Sequence, residues 1–300
     1  MAATGNHPDW GRRLPPGRAN VTMANRVPPA DFVCGCGRPW RAGRQSGEGR
    51  GMDSRQSLRQ RLYADLAWLW PIVSPPEVYE EQSACYRDLI VSHAKRPVVR
   101  LLDLGCGAGH HTLAFGDGFD VTGVDCSEAM LALARAHRPR GVFHVGDIRS
   151  VRLDARFDAV LLHDAVSYML TEEDLRAALA TAYRHIEPGG VLLTLAEYTT
   201  ETFEEGSSVS EPHCAGDIEV TLIEHLVDPD PGDTICEAHL EYIIRENGQT
   251  RTEIDPHTWG LFPLALWRRQ LRAAGFHIYE AEFEETSVAC PVFVCKRPEE

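Results

Sequence analysis

The chain has 300 residues, 43% of them hydrophobic, and a formal net charge of −14; this is enough to bury a sizeable core in one large domain or a domain with an appendage. No apolar run reaches the roughly 18 residues of a membrane span, the start of the chain lacks the apolar stretch of a signal peptide, and nine cysteines, an odd number, fit a reducing compartment. The charge is uneven: residues 1–52 carry eight Arg against three acidic residues, a net +5, which leaves −19 for residues 53–300. A body that acidic repels nucleic acid and anionic membrane, so the expected partner is a small neutral or cationic molecule. The expected location is the cytoplasm, and the expected state a monomer or homodimer.

Residues 1–51 are rich in Pro, Gly and Arg and have no helical or strand period, so they are expected to be disordered or a spurious extension. The "CGCG" at 34–37 is a lone Cys-x-Cys without a second ligand pair, and no metal site is expected there. Met52 is the expected true start. The Gly-Glu-Gly just upstream suits a purine-rich ribosome-binding sequence, and Arg-heavy, Lys-poor usage suits GC-rich coding, where frames extend spuriously.

From Ser57, "SLRQRLYADLAWLW" places Leu58, Leu62, Leu66 and Leu69 at helical spacing, with Pro71 as the stop. A second helix is expected from about Pro76 to Ala94. Strands and helices then alternate: strand 98–104, a short helix after Gly109, strand 120–124, and a helix capped by Ser127. Strands 142–145 and 157–162 follow, then a helix with a Thr171/Asp174 capping box running to about Ile186. "PGG" turns the chain into strand 191–195. This alternation predicts βαβ units and a mostly parallel sheet covered on both faces. After about Thr200 the pattern changes. "IEVTLIEHLV" and "ICEAHLEYII" read as strands, and Asn247-Gly248 is a hairpin turn into "TRTEID". Helix "PLALWRRQLRAAG" and strands near 276–284 and 291–296 close the chain.

The loop of "LLDLGCGAGHHT" (101–112) leaves the first strand of this alternation. Ligands of open α/β sheets sit at the carboxyl ends of strands where strand order reverses. Gly105, Gly107 and Gly109 let a ligand pack on bare backbone, and Asp125 ends the next strand, where it can accept from ribose hydroxyls. A nucleoside is therefore expected. The dinucleotide fingerprint G-x-G-x-x-G fails, because His110 or Thr112 falls where its third glycine belongs, and no Gly-Lys-Ser/Thr phosphate loop is present.

These segments resemble the class I S-adenosylmethionine (SAM)-dependent methyltransferases. "LLDLGCGAG" is similar to their first motif, "VTGVDCSEAML" to the second, "VFHVGDIRSV" to the third, "FDAVLLHDAVSYM" to the fourth, and "IEPGGVLLT" to the segment into strand five. The resemblance implies a Rossmann-like, seven-stranded, mostly parallel α/β sheet with helices on both faces and an antiparallel insertion after strand five. It implies N-terminal helices at 52–97, a cofactor core at 98–199, an acceptor lid at 200–262, and the last helix and strands at 263–300. It also implies SAM as cofactor and S-adenosylhomocysteine (SAH) as product. Cofactor binding would fall to Asp103, Gly105, Gly107, Gly109, Asp125 on the ribose, Met130, Asp147 on the adenine amino group, the Ile148 backbone, His163, and Tyr63 closing over the site. "LYADLAWLW" and the insertion further resemble small-molecule N-methyltransferases of amino sugars and amino acids.

Methyl transfer from a sulfonium needs an acceptor held in line with its lone pair free, and an amine must also lose a proton. His163, Asp164, Glu197 and His257 are the expected catalytic candidates, Tyr168 a wall or core residue. His110 and His111 open a helix whose backbone suits a carboxylate, so at most one of their side chains is expected to contribute. No metal is expected. The rival readings are a catalytically silent SAM-binding regulator and, behind it, a nicotinamide oxidoreductase.

Overall fold

The computed structural model describes residues 60–283 and 290–299. The extension at 1–51, the proposed start at Met52 and the first turn of the helix expected from Ser57 lie outside the described residues.

Strands β1 (Arg100–Leu104), β2 (Asp120–Asp125), β3 (Val142–Val145), β4 (Phe157–Leu162), β5 (Ile186–Leu195), β10 (His277–Phe283) and β11 (Cys290–Lys296) form one seven-stranded sheet in the order β10-β11-β5-β4-β1-β2-β3. β1 to β5 pair in parallel, and β11 runs antiparallel between β5 and β10. Every residue of β4 is buried, as an apolar run in a central parallel strand requires. Its one carboxylate, Asp158, is paired with Arg96 at 2.9 Å and accepts from the Val99 and Arg100 amides, so it fastens the chain where β1 begins. β5 starts earlier than "PGG" suggests, because the strand continues through the glycines with a register shift against β4.

Helices α2 (Glu80–His93), α3 (His110–Ala114), α4 (Glu128–His137), α5 (Glu172–His185) and α6 (Leu264–Ala273) cover the sheet. The caps are those expected: Ser127 Oγ accepts from Met130 N, and Thr171 Oγ1 from Asp174 N. Strand order reverses between β1 and β4, and the carboxyl ends there open the site.

A second sheet, β6 (Ser208–Ala215), β7 (Ile218–Val227), β8 (Ile235–Glu246) and β9 (Gln249–Gly260), is wholly antiparallel. Asn247 and Gly248 turn at φ 50° and 73°, which only such residues adopt readily. β6 was not anticipated. Its sequence "SVSEPHCA" has no clean alternation and contains Pro212, tolerated because β6 is an edge strand.

The segment before α2 departs most from expectation. It is not one helix but two 3-10 turns, Arg61–Tyr63 and Ala67–Leu69, followed by α1 (Trp70–Val73). Pro71 does not stop a helix; it sits in the first turn of α1, where its missing N–H costs nothing. The leucines at helical spacing are indeed buried, Leu62, Leu66 and Leu69 at 5%, 4% and 0% exposure, but against the inner face of the second sheet (Ala238, Leu240, Tyr242, Ile244). Asp255 of β9 captures the Arg61 and Leu62 amides. These tertiary contacts outweigh the local helical period.

Candidate active site

The glycine loop turns where β1 ends. Gly105 N and Cys106 N both donate to Val124 O, at 2.7 and 3.0 Å, and bind the loop to β2. Gly105 has φ +79°, and a Cβ there would lie 2.0 Å from Ala165 Cβ, so no side chain fits. Gly107, at φ +50°, faces open space apart from Met130. Its amide donates to Asp125 Oδ2 at 2.9 Å, while Ser127 N donates to Oδ1 at 2.8 Å. Two backbone donors thus orient the Asp125 carboxylate and leave acceptor capacity for hydroxyl groups. Burial holds its pKa above the usual carboxylate range.

A cavity of about 130 Å³ opens over this loop. Four carboxylates face it: Asp103, Asp125, Asp147 and Asp164. Met130 and Ile148 supply apolar wall, Tyr63, Trp70, Tyr79 and Tyr168 aromatic wall, and His110, His111 and His163 imidazoles. Asp103 is pushed up to about 7 by burial; Asp125 and Asp164 push in the same direction and His163 opposes them. Burial also works to raise Asp147, yet its pKa lies below the usual range because Arg149 grips it. The Arg149 Nη2 contact is 2.6 Å, and Nη1 reaches Asp174 at 2.9 Å.

The histidines are packed together. His111 and His163 meet edge to face with centroids 4.4 Å apart. His111 Nδ1 is 2.9 Å from Ser83 Oγ, and His163 lies between Tyr86 OH at 3.1 Å and Asp164 Oδ1 at 2.5 Å. Burial pushes His110 down to about 4, assisted by His137, and pushes His111 well below the ordinary imidazole value. Among the described residues neither ring nitrogen of His110 has a hydrogen-bond partner, nor does Nε2 of His111. Both side chains line the cavity.

The cavity gathers Tyr63, Asp103, Gly105, Gly107, Asp125, Met130, Asp147, Ile148, His163 and Asp164. Gly109 shapes the start of α3 just outside the wall. Glu197 and His257 do not line it. Glu197 follows β5 and acts on the Tyr168 and Tyr198 hydroxyls. His257 is 1% exposed and sits behind the wall, with the Tyr168 hydroxyl 2.8 Å from its Nδ1 and the Tyr63 ring centroid 5.6 Å from its own. Sequence reading missed Trp70, Tyr79, Arg149, Asp255 and Trp259. Only Asp255 carried a signal, since it alternates with His257 on one strand face. Among the described residues no group of three or more His, Cys, Asp or Glu side chains could hold a metal ion.

Residues 101–190 match a family model described as a methyltransferase domain. The chain is 32% identical over 203 residues to the dTDP-3-amino-3,4,6-trideoxy-alpha-D-glucopyranose N,N-dimethyltransferase of Streptomyces venezuelae, covering 67% of this chain and 84% of that protein. The crystal structure of Streptomyces venezuelae DesVI is similar with a TM-score of 0.69 at 29% identity, covering 79% of this chain and 98% of that one. The SAM-bound structure of CalS10, an amino pentose methyltransferase from Micromonospora echinaspora, gives a TM-score of 0.66 at 28% identity, over 73% and 91% of the two chains.

Proposed function

This chain belongs to the class I SAM-dependent methyltransferases, and from that premise we propose that it methylates the nitrogen of a small amine, with an amino sugar as the acceptor class. It is an enzyme, and SAM is its cofactor. The nicotinamide reading is set aside, since the relatives and the missing third glycine both oppose it. The observation that carries the proposal is the acidic cavity over the glycine loop, two of whose walls, Tyr63 and Tyr168, pack against the antiparallel sheet.

The residues present fit an adenosyl group joined to a cationic amino-acid tail. Gly105 and Gly107 present bare backbone that a Cβ would spoil at Gly105, and both ring nitrogens of His110 and Nε2 of His111 are buried without a hydrogen-bond partner among the described residues. Asp125 would take the ribose hydroxyls, and Met130 and Ile148 would sandwich the adenine. Asp147 would accept from the adenine amino group with the lone pairs Arg149 leaves open. Tyr63 would close the roof. When bound, SAM supplies a methyl group already activated on sulfonium.

The chain's own work is to attract, align and desolvate the acceptor. Asp103 and Asp164 favour cations in the cavity. His163, held between Tyr86 and Asp164, gives Asp164 a fixed orientation at the end of β4. Glu197, Tyr198 and Trp259 belong to the roof side, where Tyr198 stacks on Trp259 with centroids 4.9 Å apart; they would meet the acceptor's far end. Holding the reacting atoms in line supplies much of the rate. No helix among the described residues is long and apolar enough to cross a membrane, and a cytoplasmic small-molecule enzyme acting as monomer or homodimer is the setting proposed.

Titration calorimetry with SAM and SAH, followed by mass spectrometry of a panel of nucleotide-linked amino sugars, tests this. Micromolar binding and mass gains of one or two methyl groups are expected. Folded protein that binds neither cofactor form would refute the site, and binding without turnover on any amine would favour the silent regulator.

A further inference from the structure

Behind the cavity lie buried side chains with no part in holding cofactor or acceptor. Asp255 and His257 alternate on one face of β9, each 1% exposed. Asp255 accepts from the Arg61 amide at 2.9 Å and the Leu62 amide at 2.6 Å, and its Oδ2 lies 2.9 Å from His257 Nε2. Burial alone would raise its pKa, yet these partners hold it below the ordinary value, so it is a carboxylate. A carboxylate only accepts, so in the neutral form of the ring the His257 hydrogen lies on Nε2. Nδ1 is then an acceptor, and the Tyr168 hydroxyl, 2.8 Å away, must donate to it. The Tyr168 oxygen accepts in turn from the Trp259 side chain and from Tyr63 OH at 2.8 Å. Tyr63 and Tyr168 both line the cavity. Every hydrogen in the chain therefore points inward, from the cavity to Asp255.

We propose that the Tyr63–Tyr168–His257–Asp255 chain is the exit route for the proton that an amine acceptor must lose. The idea rests on the N-methylation reading. The amine N–H proton passes to the Tyr63 oxygen as the Tyr63 hydrogen passes to Tyr168 and the Tyr168 hydrogen to His257 Nδ1. Three bonds to hydrogen break, at the amine and the two phenols. Three form, at the two phenols and the imidazole. The amine keeps its electron pair, no electron is transferred, and the positive charge ends as an imidazolium beside the Asp255 carboxylate. Reversal of the hops into water of the emptied cavity restores the start. Asp255 and His257 touch neither ligand. Asp255 fixes the tautomer that gives the chain its direction, as an aspartate does for a triad histidine.

Among the described residues, few charged and titratable groups face this chain. Arg61 comes from the N-terminal segment, its guanidinium paired with Asp65 and Glu253. Tyr242 faces Asp255 from β8. Asp164 and Glu197 act on the Tyr168 hydroxyl from the ends of β4 and β5.

Two measurements test the proposal in the full chain. In 15N-imidazole NMR, which needs no acceptor and so is independent of the function assigned above, His257 should be the Nε2–H tautomer. In Asp255→Asn the side-chain amide should donate to Nε2 and drive the ring to Nδ1–H. With an amine acceptor, Asp255→Asn and His257→Gln should lower kcat by about a hundredfold near pH 7, the usual worth of proton transfer by a positioned group, with the Kd for SAH changed less than about threefold. The deficit should shrink as pH rises towards the pKa of the amine, because a neutral acceptor needs no exit route. Tyr168→Phe, which leaves the buried charge intact, should behave alike should His257→Gln fail to fold. A wild-type Nδ1–H tautomer, a kcat within threefold of wild type, or a deficit equal at every pH would overturn the proposal.

Discussion

At the scale of single residues, burial of charge sets the behaviour of the site. Asp103 is 3% exposed with a pKa pushed up to about 7 by burial. The folded protein therefore holds this proton more tightly than the unfolded chain does. The stability the group contributes is full at low pH and falls as pH rises from the ordinary carboxylate range through about 7. Asp103→Asn carries no such proton, so its Tm should exceed that of wild type by a few degrees at pH 8 and by less at pH 5, as read by calorimetry. The same variant should bind SAM about tenfold more weakly, a loss of about 1.4 kcal/mol, since the cavity gives up a carboxylate facing a cation. Wild-type affinity for SAM should rise between pH 6 and 8 as Asp103 ionises. A binding curve flat across that range would remove Asp103 from the site.

At the scale of elements, the structure separates what local pattern decides from what distant contact decides. The glycine loop, Asp125, Asp147 and the buried run of β4 were legible because steric need and burial write themselves into short stretches of sequence. Helix caps were legible for the same reason. Thr171 Oγ1 accepts from Asp174 N at 3.1 Å and donates to Asp174 Oδ2 at 3.0 Å. Thr171→Ala should cost about 1 kcal/mol, measurable by urea unfolding. Asp174 also holds Arg149, which grips Asp147 at the cavity, so one cap steadies one wall. Residues 60–73 were misjudged because their leucines obey a helical period while Asp255, almost two hundred residues away, takes the amides that a helix would use. β6 was missed because an edge strand buries too little to impose alternation. His110, His111 and His163 were half legible: their positions near strand and loop ends were plain, but their mutual packing depends on α2, whose Ser83 and Tyr86 give no sign of it in sequence.

At the scale of the whole molecule, two parts far apart in sequence share one core. Leu62, Leu66 and Leu69 pack with Tyr242, Ile244 and Trp259 of the second sheet, and Tyr63 joins this cluster while facing the cavity. The N-terminal segment and the second sheet should therefore move and stiffen as one unit. In hydrogen exchange, addition of SAH should slow residues 61–69 and 250–259 together and leave β10 and β11, at the far edge of the main sheet, largely unchanged. Protection confined to the glycine loop would show that the second sheet is independent of the cofactor.

The four acidic side chains facing the cavity have a consequence for turnover. Before reaction, the cofactor's sulfonium and ammonium outweigh its one carboxylate, so it enters as a net cation. Afterwards the sulfur is an uncharged thioether, and the acidic wall has lost one of the charges it was attracting. The chemical step thus discharges the ligand in its own binding site, so that the attraction that draws in a fresh methyl donor is weakened for the spent one.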